Sequence, residues 1–239
     1  EENKLGIASS STRQVFFADT KIPVENMLSE RGQGFKIALN SLNVGRIKLA
    51  AACLDASRRV IKESVVYANQ RVQFKTPIAK FGAIQAKLAE MSMRAFVSDA
   101  GSYRAAKDIQ NYIDDLLTKG KTHQEAELEA FSEYAIEAAI LKVYGSETSQ
   151  FVTDEGIQIF GGMGFSKDTP MEAAWRDARI TRIYEGTNEI NRLLTVGMLL
   201  KKAMSGTIDL ITPAMEVGNS LVGIPSFDIP DYSERLSEE

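Results

Sequence analysis

At 239 residues the chain is long enough for one large domain or two small ones, with a real buried core. Its composition, 44% hydrophobic and 25% charged, is ordinary for a globular protein, and a net charge of −4 argues against a nucleic-acid-binding surface. A single cysteine, Cys53, and a single histidine, His123, exclude a disulfide framework, a multi-cysteine zinc site and catalysis by Ser-His-Asp or Cys-His pairs. Acid–base chemistry must then run on carboxylates, Tyr or Lys.

The chain opens Glu1-Glu2-Asn3-Lys4 without an initiator Met and reads as part of a longer polypeptide. Thr12-Arg13-Gln14-Val15-Phe16-Phe17 is β-favourable, and Ile22-Pro23-Val24 is held extended by its proline. One or two strands cannot form a stable sheet, so residues 1–30 read as the remnant of a β-domain. From Phe35 to about Asn69, apolar residues recur at helical spacing (Ile37, Leu42, Leu49, Val60), and Pro77 then interrupts. A second helix is expected from about Phe81 to Leu117 and a third from about Gln124 to Ile159, broken by Gly161-Gly162-Met163-Gly164. Shorter helices follow near Met171 to Asp177 and Asn188 to Met204. Long helices with short connections predict a mainly α fold, an up-and-down four-helix bundle over residues 31–205. After Gly206 the pattern decays, and residues 206–239 are expected to be a loosely ordered tail. No apolar run reaches the roughly 18 residues of a membrane span.

Three features could carry chemistry. Glu125, Glu129, Glu133 and Glu137 recur at i, i+4, but a di-iron bundle needs inward Glu-x-x-His pairs, and His123 lies at the helix start. That stripe reads as a solvated acidic face, and no metal is expected. The Gly161-Gly162 segment follows a helix and lacks the order of a dinucleotide fingerprint; it is either a helix cap or a place where backbone approaches a flat or phosphorylated ligand. Glu185, between Tyr184 and Gly186 in a break between helices, is either an exposed loop carboxylate or a general base partly withdrawn from water. Spacing alone does not choose. Thr187 or Asn188 could cap the helix that follows.

Four ordered segments carry a resemblance. They are Gly34-Phe35-Lys36 with Asn43-x-Gly45-Arg46; Arg71-x-x-Phe74-x-x-Pro77-Ile78-x-x-Phe81; Gln158-Ile159-Phe160-Gly161-Gly162-Met163-Gly164-Phe165; and Arg182-Ile183-Tyr184-Glu185-Gly186-Thr187-Asn188. From about Leu5 to Ala203 the chain resembles the C-terminal half of the acyl-CoA dehydrogenases. The resemblance implies an FAD-dependent oxidation of acyl-CoA to trans-2-enoyl-CoA in fatty-acid β-oxidation. In that family a carboxylate removes the α-proton while the β-hydride passes to flavin N5, and the role falls on Glu185. Arg71, Phe74, Gln158, Gly161 and Gly162 match positions that reach a neighbouring subunit's FAD, Arg71 toward the pyrophosphate. Thr187 and Glu189 match flavin contacts within the subunit. Asn43, Arg46, Tyr184 and Gly186 match the substrate side. A homodimer or homotetramer is implied, with an electron-transferring flavoprotein as oxidant, in the cytoplasm of a bacterium or the mitochondrial matrix of a eukaryote.

Some positions depart from common members. Gly82 stands where many relatives carry Gln, Asn43 replaces an Asp frequent in medium-chain enzymes, and Glu189 replaces a frequent Gln. These features look like the very-long-chain branch, whose additional C-terminal domain would begin in residues 206–239. Two alternatives stay open from the residues: a related flavin enzyme such as an acyl-CoA oxidase, and a non-enzymatic helical interaction module. Flavin monooxygenase relatives usually lack the Glu of the Tyr-Glu-Gly-Thr motif, so Glu185 weighs against them.

Overall fold

A computed structural model describes residues 1–222. The chain divides into two compact units, Glu1–Thr195 and Val196–Glu239. In the first unit the long helices are α1 (Gly34–Gln70), α2 (Gly82–Thr118) and α4 (Ala135–Phe160), with α3 (His123–Glu133) between the last two. Two short helices, α5 (Gly162–Phe165) and α6 (Met171–Ala178), precede a 3-10 turn, Arg179–Arg182, and then α7 (Asn188–Met204), whose residues from Val196 on are counted with the second unit. This is the mainly helical architecture that the periodicity predicts.

The helices run alternately up and down. Arg58 on α1 pairs with Asp99 on α2 at 2.6 Å, and Arg94 on α2 lies 4.1 Å over the Phe151 ring on α4. Small residues bring α1 and α4 together: a methyl group built at Gly145 would stand 3.2 Å from the Ala50 Cα, and one at Gly156 would stand 2.7 Å from a Val60 methyl. The main core forms there from Val60, Ala68, Met91, Val152, Ile159, Phe160 and Met171. Each large side chain of this kind contributes about 1.5–3 kcal/mol when fully buried. A second cluster, Ile109, Ile113, Leu116, Ala126 and Ala130, fixes α3 against the end of α2.

Three expectations need correction. The third helix is not continuous from Gln124 to Ile159: it breaks at Tyr134, which leaves helical geometry at φ −89° and ψ 24°. No Gly or Pro marks that break. It lets α3 follow α2 while α4 follows α1, with Tyr134 packed edge-on to Tyr112 at 6.1 Å. The segment 12–17 forms no strand; among the described residues it has no sheet to join, and Val15, Phe16 and Phe17 stay exposed. The only strands among the described residues are β1 (Val72–Gln73) and β2 (Thr76–Pro77), paired antiparallel between α1 and α2. Finally, the segment after Gly206 is not all irregular, because the second unit holds α8 (Ile211–Val222). Asp209 caps it by accepting a bond from the Thr212 N–H at 3.1 Å. The rest of the expected tail and extension, residues 223–239, lies outside the described residues.

Candidate active site

Glu185 follows the 3-10 turn and precedes α7, in a loop whose backbone is unusual. Glu185 has φ 58° and Gly186 has φ 82°, so two successive residues sit in left-handed territory, one of them without glycine's freedom. Such a conformation costs on the order of 1–3 kcal/mol and persists only where the surroundings impose it. The surroundings do impose it. Arg46 Nε on α1 donates to the Glu185 carbonyl at 3.2 Å, and Asn191 Nδ2 donates to the carbonyls of Glu185, Gly186 and Thr187 at 3.4, 2.7 and 3.1 Å. Lys142 Nζ on α4 donates to the Gly186 carbonyl at 2.8 Å. Thr187 accepts from the Ile190 N–H at 3.3 Å and so begins α7, as one of its two capping candidates.

With its carbonyl tied inward, Glu185 turns its side chain onto α1. A methyl group built at Gly45 would meet the Glu185 Oε2 at 2.7 Å and its Cδ at 2.9 Å. Any other residue at 45 would therefore displace the carboxylate. Oε2 is buried and has no hydrogen-bond partner. Among the described residues the Glu185 amide N–H has no acceptor either. The Glu185 carboxylate is thus partly withdrawn from water, and among the described residues its Oε2 and its amide are without partners.

Asn43 and Arg46 are both buried, and Arg46 holds the loop directly. Arg46 donates to Asn43 Oδ1 at 3.0 Å, and Asn43 Nδ2 donates to the Phe131 carbonyl at 3.1 Å. Burial lowers the Arg46 pKa, with the neighbouring Glu185 charge opposing it. Tyr184 is partly exposed, and burial of its ring side followed by the nearby Cys53 and Glu185 pushes its phenol up. The Cys53 thiol is pushed up to about 11 by burial, which leaves it a poor nucleophile. Glu189 stays exposed, its carboxyl held below the usual range by its own N–H and the Thr187 hydroxyl.

The remaining expected residues gather at the other end of the helices. Arg71, Phe74, Gly161 and Gly162 line one cleft of about 520 Å³ with Tyr67, Phe81 and Phe160. Gln158 is exposed one turn back on α4 and does not line it. The β1–β2 turn places Phe74 and Lys75 at φ 52° and 66°, and Phe74 is 89% exposed. Gly161 ends α4 at φ 60° and ψ −134°, a conformation open to glycine alone, and nothing stands within 4 Å of a side chain built at Gly161 or Gly162. Among the described residues the Arg71 guanidinium meets no carboxylate. An unpaired guanidinium, bare backbone and an exposed ring fit a pyrophosphate joined to a flat heterocycle.

The acidic stripe is spoken for locally. Glu125 closes a capping box with Thr122, Glu129 pairs with Lys121, and among the described residues no His, Cys, Asp or Glu group could hold a metal ion.

The model of a known domain, "Acyl-CoA dehydrogenase, C-terminal domain", matches residues 32–199. The chain belongs to the acyl-CoA dehydrogenase family. It is 43% identical over 222 residues to a probable acyl-CoA dehydrogenase of Bacillus subtilis, covering 93% of this chain and 37% of that one. To the very long-chain specific acyl-CoA dehydrogenase of rat mitochondria it is 39% identical over 220 residues, covering 92% and 30%. Among solved structures, an acyl-CoA dehydrogenase of Bacillus anthracis complexed with FAD superposes with a TM-score of 0.87 at 41% identity, covering 96% of this chain and 39% of that one. The chain thus spans between about a third and a half of the length of the acyl-CoA dehydrogenases it matches.

Sequence reasoning missed the buried polar side of the site. Lys142, Ser146, Asn188 and Asn191 are all fully or nearly fully buried. The one available signal was a lysine inside the apolar run Ile140-Leu141-Lys142-Val143, which a solvated helix face would not place there.

Proposed function

We propose that the polypeptide to which these residues belong is an FAD-dependent acyl-CoA dehydrogenase, converting acyl-CoA to trans-2-enoyl-CoA, with Glu185 as the base for the α-proton. The observation that carries this reading is the Glu185 carboxylate itself: buried Oε2 without a partner, seated in the notch at Gly45 by a loop of imposed left-handed geometry. A thioester α-proton is too weakly acidic for a solvated carboxylate, so the base must work where water is excluded. The same residue's N–H, without an acceptor among the described residues, would stabilise negative charge developing on the thioester oxygen. Bound flavin would supply the hydride acceptor. Thr187 and Glu189 would lie on the flavin side of the same loop, and Tyr184 and Gly186 would flank the acyl group.

The second cleft would hold the pyrophosphate and adenosine end of FAD. Arg71 would pair with phosphate oxygens, Phe74 would cover the heterocycle, and Gly161 and Gly162 would let the backbone approach. In this reading that cofactor belongs to a second copy of the chain, and an electron-transferring flavoprotein reoxidises it. The test is acyl-CoA-dependent bleaching of flavin, under anaerobic conditions, in the complete polypeptide. Bleaching is expected on addition of saturated acyl-CoA; a flavin-loaded protein indifferent to acyl-CoA of every chain length would overturn the reading.

A further inference from the structure

Lys142, the eighth residue of α4, has 0% of its surface exposed and is the largest fully buried side chain among the described residues. An ammonium group is costly to bury unless it is hydrogen-bonded or paired. Among the described residues Lys142 has hydrogen bonds but no ion pair with a carboxylate: Nζ donates to the Gly186 carbonyl at 2.8 Å and to Asn188 Oδ1 at 2.7 Å, both neutral. Burial accordingly pushes its pKa down. Packing does not call for such a residue, since a Leu or Met would fill the space without a buried charge. What distinguishes the site is its target. The carbonyl it holds is that of the residue directly after Glu185, in a turn where Glu185 and Gly186 both have positive φ. The other acceptor is part of the same anchor, because Asn188 Nδ2 continues to Ser146 Oγ at 3.0 Å and Glu147 Oε1 at 3.2 Å.

We propose that Lys142 is a positioning residue for the α-proton step, fixing the Gly186 peptide from beneath so that the Glu185 carboxylate keeps its seat against Gly45. This rests on the reading of Glu185 as the base. Lys142 touches neither substrate nor flavin and acts through the loop alone. Asn191 Nδ2 holds the same carbonyl at 2.7 Å, so loss of Lys142 loosens the turn rather than releasing it. The effect should therefore be graded with the number of donors that remain.

The experiment compares Lys142→Met, which keeps length and removes every donor, with Lys142→Gln, which keeps one donating group, in the complete flavin-loaded enzyme. A catalytic group displaced by about 1 Å costs on the order of 100-fold. Lys142→Met is expected to slow flavin reduction by saturating acyl-CoA about 10- to 100-fold, with KM within about threefold and flavin content unchanged. The α-deuterium isotope effect on that reduction should equal or exceed the wild-type value, and Lys142→Gln should recover part of the rate. A Lys142→Met enzyme with wild-type reduction rate overturns the proposal, as does a smaller isotope effect or a rate loss that only tracks lost flavin. If Lys142→Met does not fold, Lys142→Gln decides, and a wild-type rate there overturns it. Glu185→Gln run in parallel separates the two readings. If that variant still reduces flavin normally, the base assignment falls; if it is inactive while Lys142→Met is unimpaired, only this inference falls.

Discussion

The Glu185 loop and the Arg71 cleft sit on the same helices but are finished to different degrees. Around Glu185 much of the backbone is already engaged: three successive carbonyls are bound by Arg46, Lys142 and Asn191, while among the described residues the buried Glu185 Oε2 and Asn191 Oδ1 have no partner. Around Arg71 little is engaged: the guanidinium is unpaired, Phe74 is 89% exposed and the glycines face open space. A preorganised group needs no reorganisation at the moment of reaction, which suits chemistry. A cleft that leaves a cation and a ring unsatisfied is completed by what it binds. On the proposed reading, the contrast is that between a reaction centre and a cofactor cradle.

Substitutions can break that contrast from either side. The largest effect should come from Gly45→Val. The new side chain must push the Glu185 carboxylate aside, because that flexible end gives way before the helix does. Flavin reduction should fall about 100-fold while helical content and flavin binding stay intact, as stopped-flow and circular dichroism would show. Gly161→Ala attacks the cradle. Alanine at φ 60° and ψ −134° is strained, so unfolding stability should drop by about 1–3 kcal/mol in a denaturant titration. Arg71→Ala should spare the chemistry and weaken flavin retention on dialysis. A hydrogen bond to a charged group contributes about 1.5–3 kcal/mol, corresponding to at least tenfold in affinity. If Arg71→Ala instead kept its flavin and lost only turnover, the division between the two sites would fail.

The smallest effect concerns acid stability. The Arg192 guanidinium, followed by Asn188, holds the Glu147 carboxyl below its ordinary value of 4.5. A depressed folded-state pKa contributes stability above the unfolded value, and that contribution is lost as pH falls through the folded value. Arg192→Leu should remove it. Its stability should lie below wild type at neutral pH by less than about 1 kcal/mol, the pair being partly solvent-screened, and the two should converge as pH falls through the depressed folded-state value. Thermal melts at several pH values would check this.

Much of this was legible in the residues. Helices α1, α2, α6 and α7 fall within a residue or two of their periodic patterns, and the glycines at 161 and 162 end α4 where expected. The break at Tyr134 was not legible, because it answers to α2 and α1 rather than to any local signal. Nor was the β1–β2 turn, which uses Phe74 and Lys75 where two-residue hairpin turns favour Asn and Gly. Segment 12–17 has strand propensity, but strands are made by partners and propensity alone does not supply one. At the site, Glu185 could be picked out only by resemblance. The Glu185 carboxylate sits against Gly45, 140 positions earlier, and its loop is held by a lysine buried in α4, and neither relation has a sequence spacing.

The central claim, that Glu185 is the base, is tested most directly by a single turnover. Wild type and Glu185→Gln, matched for bound flavin, are mixed anaerobically with saturating acyl-CoA and flavin absorbance is followed. Removal of a general base typically costs 10²–10⁴-fold, so flavin reduction in Glu185→Gln should be slower by at least about 100-fold while the flavin stays bound. Reduction at the wild-type rate in that variant would contradict the account.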